Sequence, residues 1–275
     1  MELTAEQFSK LSKLIYKKLG LQFDDKKLYF LNKRVERRIA QLDLKDADEY
    51  LFQLGYCDAK GDEMQALANL ITTNETYMFR EFEQLAGFAD VCLPELIAAK
   101  QQTQDRRIRI WCAGCSSGEE AYTLAIIIRE VFPDAGNWDI KIVATDIDEN
   151  VLKLARNAVY GDRSVKAVPT AYNKHLVATV TGFRIDPETA RLVRVEKLNL
   201  NDAQQMKAMR NYDFVFCRNV LIYFDDESRR NVVNHFYDAL NSKGYIFLGH
   251  SESVGRITSA FRLKKTGGHL LYTKD

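Results

Sequence analysis

Ile108-Arg109-Ile110-Trp111-Cys112-Ala113-Gly114-Cys115-Ser116-Ser117-Gly118-Glu119-Glu120 is the stretch that decides the fold. Residues 108–111 read as a strand, the two glycines as a turn, and Glu119 opens a helical pattern that runs to residue 132. Strand, glycine turn and helix make the first half of a βαβ unit. The alternation continues outward. Strands are predicted over 140–145, 214–216, 245–248 and 270–272, and helices over 88–99, 150–158 and 226–240. This is an α/β pattern with a mainly parallel, Rossmann-like sheet. Between about 172 and 197, residues 177–183 and 192–196 read as the two arms of a β-hairpin insertion.

Upstream the pattern is all-helical. Phe8, Leu11, Leu14, Ile15 and Leu19 recur at helical spacing and stop at Gly20. Leu28, Leu31, Val35, Ile39 and Leu42 form a second stripe. Tyr50, Leu51 and Leu54 mark a third helix, and Met64, Leu67, Leu70 and Ile71 a fourth. The expected division is a helical domain with its junction over 1–82 and an α/β domain over 83–275.

The chain's 275 residues carry 39 Lys and Arg against 38 Asp and Glu, a formal net charge of +1. That balance argues against nucleic-acid binding through one broad basic face, because neutralising phosphates draws on many cations. The charges are unevenly placed. Ten basic and three acidic residues lie between 10 and 38, and three basic and ten acidic between 43 and 83. Lys33, Arg34, Arg37 and Arg38 crowd about one and a half helical turns. They read either as a solvated helix face or as a docking surface for an acidic partner. The longest apolar run, Leu124 to Ile128, ends at Arg129 and Glu130, too short to span a bilayer. Met1-Glu2-Leu3-Thr4 shows no signal-peptide pattern. Five cysteines are too few for a disulfide framework, so a cytoplasmic monomer without a metal centre is expected.

The glycine turn lies where open α/β sheets bind small ligands. Its glycines are four apart, unlike a dinucleotide fingerprint, and Glu119 and Glu120 at the helix start would repel a phosphate. A ligand with a cationic end and no phosphate fits better, and S-adenosylmethionine, with its ammonium and sulfonium, is the candidate. Ser116 with Glu119, or Ser117 with Glu120, also matches a capping box. One glutamate then caps while the other meets the ligand, and Glu120 is slightly favoured for the ligand. Asp146 and Asp148, after the next strand, divide in the same way. Asp146 is the better ribose acceptor and Asp148 is left to cap a helix.

Two further motifs carry polar groups to the same end of the sheet. In Phe214 to Phe224 a buried strand delivers Arg218 and Asn219, with Tyr223 behind them; taken alone, Tyr223 is more simply a core residue. Thr72 to Glu81 joins the two regions, either lining a cleft or serving as a plain linker. Cys112 and Cys115 have redox-pair spacing but lie in a loop without a helix start to stabilise a thiolate. His250 reads as structural.

Thr72 to Glu81, the Ala113 to Tyr122 loop, Thr145 to Asp148, Phe216 to Phe224 and Gly249 to Glu252 together resemble, in order, the chemotaxis receptor methyltransferases (CheR-type). The resemblance implies a class I methyltransferase domain with a small β-subdomain, preceded by a helical domain. It implies transfer of a methyl group from S-adenosylmethionine to glutamates of the chemoreceptor cytoplasmic bundle, leaving S-adenosylhomocysteine. Carried over by motif, Asn74, Thr76, Arg80, Glu120, Asp146, Asn199, Leu200, Arg218 and Asn219 would contact the cofactor. Arg80 and Tyr223 would lie beside the transferred methyl group. The hairpin insertion corresponds to the β-subdomain, which in some members docks a receptor tether. Cys115-Ser116-Ser117, Ala121 and Glu75 depart from the common family pattern.

The chemistry is self-consistent. A glutamate acceptor, with a pKa of about 4.3, is already an anionic nucleophile at neutral pH and needs no base. Positioning and exclusion of water remain for the protein to supply. The rivals are a methyltransferase for another acceptor, an oxidoreductase disfavoured by the acidic helix start, and a non-catalytic cofactor-binding module.

Overall fold

The computed structural model describes residues 2–250, 252, 254–266 and 269–275. Four helices form at the four apolar stripes: α1 (Ala5–Leu19), α2 (Leu28–Gln41), α3 (Ala47–Phe52) and α4 (Asp62–Ile71). Thr4 starts α1 through a reciprocal capping box with Gln7, and Gly20, at φ 73°, ends it. Leu11, Ile15, Leu31, Tyr50 and Leu67 meet in a core that excludes water from all five. Inside this bundle Arg38 grips Glu63 with two donors (Nε to Oε1 2.9 Å, Nη2 to Oε2 2.6 Å), and the Tyr50 hydroxyl donates to the same carboxylate at 2.8 Å.

The junction leads into α5 (Phe82–Gly87), which continues through a wide turn into α6 (Leu93–Gln102). Then follow β1 (Arg107–Ala113), α7 (Glu119–Val131), β2 (Asp139–Asp146) and α8 (Glu149–Asn157). The insertion holds β3 (Val159–Tyr160), α9 (Asp162–Val165), β4 (Leu176–Thr179), β5 (Gly182–Ile185) and α10 (Pro187–Ala190). The chain returns to the main sheet as β6 (Val193–Lys197), α11 (Ala203–Ala208), β7 (Tyr212–Cys217), α12 (Asp226–Ala239) and β8 (Leu240–Leu248). It finishes with α13 (Val254–Ile257), β9 (Arg262–Thr266) and β10 (His269–Thr273).

The main sheet has the order β6-β2-β1-β7-β8-β10-β9, parallel from β6 to β8 and antiparallel where β10 meets β8 and β9. Every residue of β7 is buried, and from Phe214 to Cys217 it reads as a continuous apolar run. Phe88 packs edge-on against Phe214, Phe216 and Phe247 and seals one face. The strand order reverses between β1 and β7, so the carboxyl ends of these two strands open a crevice.

One expectation is corrected. The hairpin lies within 172–197, but its arms are β4 and β5, with Leu176 opposite Ile185 and Thr179 opposite Gly182. β3 joins β5 to make a three-stranded sheet. Residues 192–196 belong instead to the main sheet, where β6 runs parallel to β2 with Ile142 opposite Val193. Alternation shows that a segment is a strand but does not choose its partner; a neighbouring apolar strand edge does. Ser251, part of the Gly249 to Glu252 motif, lies outside the described residues.

Candidate active site

The loop after β1 is shaped by its backbone. The amides of Gly114 and Cys115 donate to the Thr145 carbonyl at 2.8 and 2.9 Å, and the Ser116 amide to Asp146 Oδ2 at 2.8 Å. Gly114 has φ 78°, and a Cβ there would lie 2.4 Å from a Val220 methyl. The capping box does not form. Gly118, at φ 92°, occupies the cap position of α7 without a side-chain bond. Ser117 Oγ donates instead to Glu119 Oε2 at 2.7 Å, and Ser164 Oγ to its other oxygen at 3.0 Å. Glu119 is thereby turned into the interior, and Glu120 reaches the crevice.

Glu120 meets Arg218. Arg218 Nη1 donates to Glu120 Oε2 at 3.2 Å, and Nη2 donates to Glu81 Oε2 at 3.1 Å and to the Arg80 carbonyl at 2.6 Å. Only 4% of the Arg218 side chain is exposed, and its Nε is buried without a partner. Burial holds the Glu120 carboxyl above the usual carboxylate range, with Arg218 pulling part of the way back. Of the two aspartates, Asp148 takes the capping task. Asp148 caps α8 through the Asn150 amide and accepts from Thr72 Oγ1 (3.0 Å) and Asn74 Nδ2 (2.8 Å). Asp146 lines the crevice and accepts one amide on each oxygen, Ser116 on one and Asp148 on the other. Burial raises its carboxyl too, partly offset by those amides.

Asn74, Thr76, Arg80, Glu120, Asp146, Asn199, Leu200, Arg218, Asn219 and Tyr223 all line this single cavity. Arg80 stands between two residues in the left-handed region, Phe79 (φ 59°) and Glu81 (φ 55°), and its Nη1 donates to the Glu75 carbonyl at 2.9 Å. Strain of that kind persists where the surroundings over-determine a side chain's direction. Tyr223 is not the core residue its neighbours imply: it sits in a short 3-10 turn, 38% exposed, at the cavity edge. His250 is likewise not buried structure; its ring is mostly exposed, 3.9 Å from Glu81. Cys112 and Cys115 are buried free thiols whose ionisation burial pushes well up, the opposite of a reactive redox pair.

The helical domain supplies a wall that sequence reasoning missed: Leu19, Leu21, Phe23, Lys27 and Phe30. A seam holds it there. Tyr16 Oη donates to Asp225 Oδ2 at 2.9 Å, Asn199 Nδ2 to the Lys18 carbonyl at 2.8 Å, and the Gln22 amide to the Tyr223 carbonyl at 3.1 Å. Gly20 is the one local signal for this seam, since a Cβ there would lie 2.8 Å from Asn201 Oδ1.

The basic cluster on α2 divides. Lys33 and Arg37 are exposed, and Arg34 lies over the Phe30 ring at 3.7 Å while bonding backbone carbonyls of Phe30 and Leu70. Arg38 is committed to Glu63 inside the bundle, so it is removed from the expected docking face. Helical periodicity puts position 38 one turn after Arg34, next to Ile39 on the side that packs against α4, where a buried carboxylate awaits it.

Two family descriptions match the chain: the CheR methyltransferase all-alpha domain over residues 6–72 and the CheR methyltransferase SAM binding domain over 74–268. "Chemotaxis protein methyltransferase 2" of Vibrio cholerae is 38% identical over 265 residues, 96% of this chain and 91% of its own length. The chemotaxis protein methyltransferases of Borreliella burgdorferi (31% identity, 92% of this chain, 90% of that one) and Escherichia coli (32% identity, 96% and 90%) are similar over the same extent. With both halves matched in order, the chain belongs to the CheR family, the S-adenosylmethionine-dependent methyltransferases of chemotaxis.

Proposed function

We propose that the acceptor is a glutamate carboxylate on the cytoplasmic helical bundle of a chemoreceptor, converted to its methyl ester. The observation that supports this most is the meeting of eight polar and apolar candidates around one cavity with Arg80 and Tyr223. The residues fit the cofactor. Arg218 offers a buried N–H without a partner, suited to a carboxylate, and Glu120 a buried anion suited to an ammonium. Asp146 keeps free lone pairs for ribose hydroxyls, with Asn74, Thr76, Asn199, Leu200 and Asn219 completing the surround. When bound, the cofactor supplies a methyl group on a cationic sulfur.

The chain's own groups then have three tasks. They hold the acceptor in line, which Arg80 does with its planar fork and Tyr223 with its hydroxyl. They exclude water, a task for the helical-domain wall and the apolar lining of the cavity. They attract the receptor, for which Lys33 and Arg37 offer exposed positive charge to an acidic helix. No proton has to move, because the acceptor is already ionised. Modification of a cytoplasmic bundle places the chain in the cytoplasm, in keeping with five unpaired cysteines. Among the described residues no helix is long and apolar enough to cross a membrane.

The test is transfer of a radiolabelled methyl group from S-adenosylmethionine to chemoreceptor cytoplasmic fragments, followed by alkaline treatment. Label on glutamate that base releases is expected. Base-stable label would move the acceptor to another group, and tight cofactor binding without transfer to cognate receptors would leave a non-catalytic module.

A further inference from the structure

Beyond β8 the chain carries Gly249 and Glu252, neither of which has a part in the chemistry above. The Glu252 carboxylate collects four backbone amides. Oε1 accepts from Val220 (3.1 Å) and Ile222 (3.2 Å), and Oε2 from Asn219 (3.0 Å) and Gly249 (2.8 Å). Three of the four belong to the irregular loop that begins at Arg218 and ends at Tyr223. That loop does not satisfy itself. Asn219 is in the left-handed region at φ 59°, and the only regular structure is the 3-10 turn Leu221–Tyr223. The Asn219 and Val220 amides are partly withdrawn from water, and without an acceptor they would lose part of their hydration uncompensated. A carboxylate suits them because it only accepts and offers about two lone-pair sites on each oxygen.

The surroundings leave the loop little slack. A Cβ on Gly249 would lie 2.9 Å from both the Asn219 nitrogen and Glu252 Oε2, so glycine there lets the carboxylate approach. On the other side Val220 fills the space left by the missing side chain of Gly114, and the Gln22 amide holds the Tyr223 carbonyl at 3.1 Å.

We propose that Glu252 is a positioning residue for methyl transfer: by gathering the amides of Asn219, Val220 and Ile222 on one carboxylate, it holds Asn219 and Tyr223 in register at the cavity. The role rests on the reading that Asn219 meets the cofactor and Tyr223 the acceptor. Glu252 is not part of the cavity lining and acts through the loop.

Glu252→Gln tests this with almost no change in size. Either orientation of the amide turns an NH2 group toward two backbone donors. The expected result in the full chain is faster hydrogen exchange at the amides of residues 219, 220 and 222. S-adenosylhomocysteine should bind several-fold more weakly, and kcat on a receptor fragment should fall by about 10- to 100-fold with KM for the fragment little changed. Glu252→Asp keeps both acceptor oxygens on a shorter arm and should recover part of the rate. A folded Glu252→Gln protein with wild-type kcat overturns the proposal, as does activity lost only in proportion to unfolded protein. If Glu252→Gln does not fold, Glu252→Asp is judged by the same measurements: loosened amides with lowered kcat support the role, and wild-type kcat overturns it. A wild-type chain inactive on receptor fragments would count against the acceptor alone, since exchange and S-adenosylhomocysteine affinity still decide the clamp.

Discussion

Arg218 and Arg38 are both arginines largely withdrawn from water and held by carboxylates, yet they serve different ends. Arg38 is closed: Nε and Nη2 go to Glu63 and Nη1 to Gln41. Arg218 is open: its two terminal nitrogens go to Glu120, Glu81 and the Arg80 carbonyl, and its buried Nε has no partner. A closed pair ties helices together, whereas the open one at the cavity wall has a spare donor, which the proposed function assigns to the cofactor. Charge and burial alone do not separate the two, and each uses three of its five N–H groups; what separates them is that every nitrogen of Arg38 has a partner while the buried Nε of Arg218 has none.

Breaking the open network should have the largest effect. Glu120→Gln is expected to weaken S-adenosylhomocysteine binding by about 100-fold or more, since it removes the buried anion and strips Arg218 of a charged partner. Calorimetry reads this directly. Because burial raises the Glu120 carboxyl, lowering the pH protonates it before an ordinary carboxylate would respond. Wild-type affinity should therefore decline on the acid side beginning above the usual carboxylate range, and Glu120→Gln should lose that dependence. An unchanged profile would assign the decline to Asp146 or another group.

Breaking the closed pair should act on the fold. Arg38→Ala leaves Glu63 buried with only the Tyr50 hydroxyl and should cost about 2 kcal/mol, below the range for fully buried pairs because 16% of the arginine side chain is exposed. Denaturant unfolding measures the loss, and methylation per folded molecule should stay near wild type. A stable Arg38→Ala protein with poor receptor methylation would return Arg38 to the docking face.

Two smaller effects sharpen the contrast. Tyr223→Phe should lower turnover by about tenfold while S-adenosylhomocysteine affinity stays within about twofold, since it removes the one hydrogen bond proposed to the acceptor. Equal loss of both would make Tyr223 a cofactor contact. Lys33→Glu with Arg37→Glu should reduce kcat/KM for the receptor by about threefold to fivefold at low salt, with the difference shrinking as salt is added. Cofactor affinity and unfolding midpoint should not move, and a salt-independent loss would argue against electrostatic docking.

The cavity's sheet side was legible because it depends on local chemistry. A strand running into Gly114, carboxylates opening α7, and Asp146 at a strand end each signal a place at the cavity within a few residues. The roles of Glu119 and Glu120 were only half legible, because the choice was made by Ser164, 45 residues further on. The hairpin was misassigned because β6 found its partner in β2. Phe23, Phe30 and the seam at Gly20 were invisible as site residues: each reads locally as helix packing or helix ending, and only docking the two domains brings them to the cavity.

By itself the sequence determined the two-part architecture, the parallel sheet, the cofactor class and the family. These follow from periodicity, turn residues and ordered motifs, all short-range properties of the chain. Only the tertiary structure decided which charged groups have a partner on every nitrogen and which bury one without a partner. That set Arg38 apart from Arg218, turned Glu119 away from the cavity and put Glu252 beneath the Tyr223 loop. The physical reason is that a buried donor or carboxylate is defined by the partners it meets, and those partners arrive from distant parts of the chain.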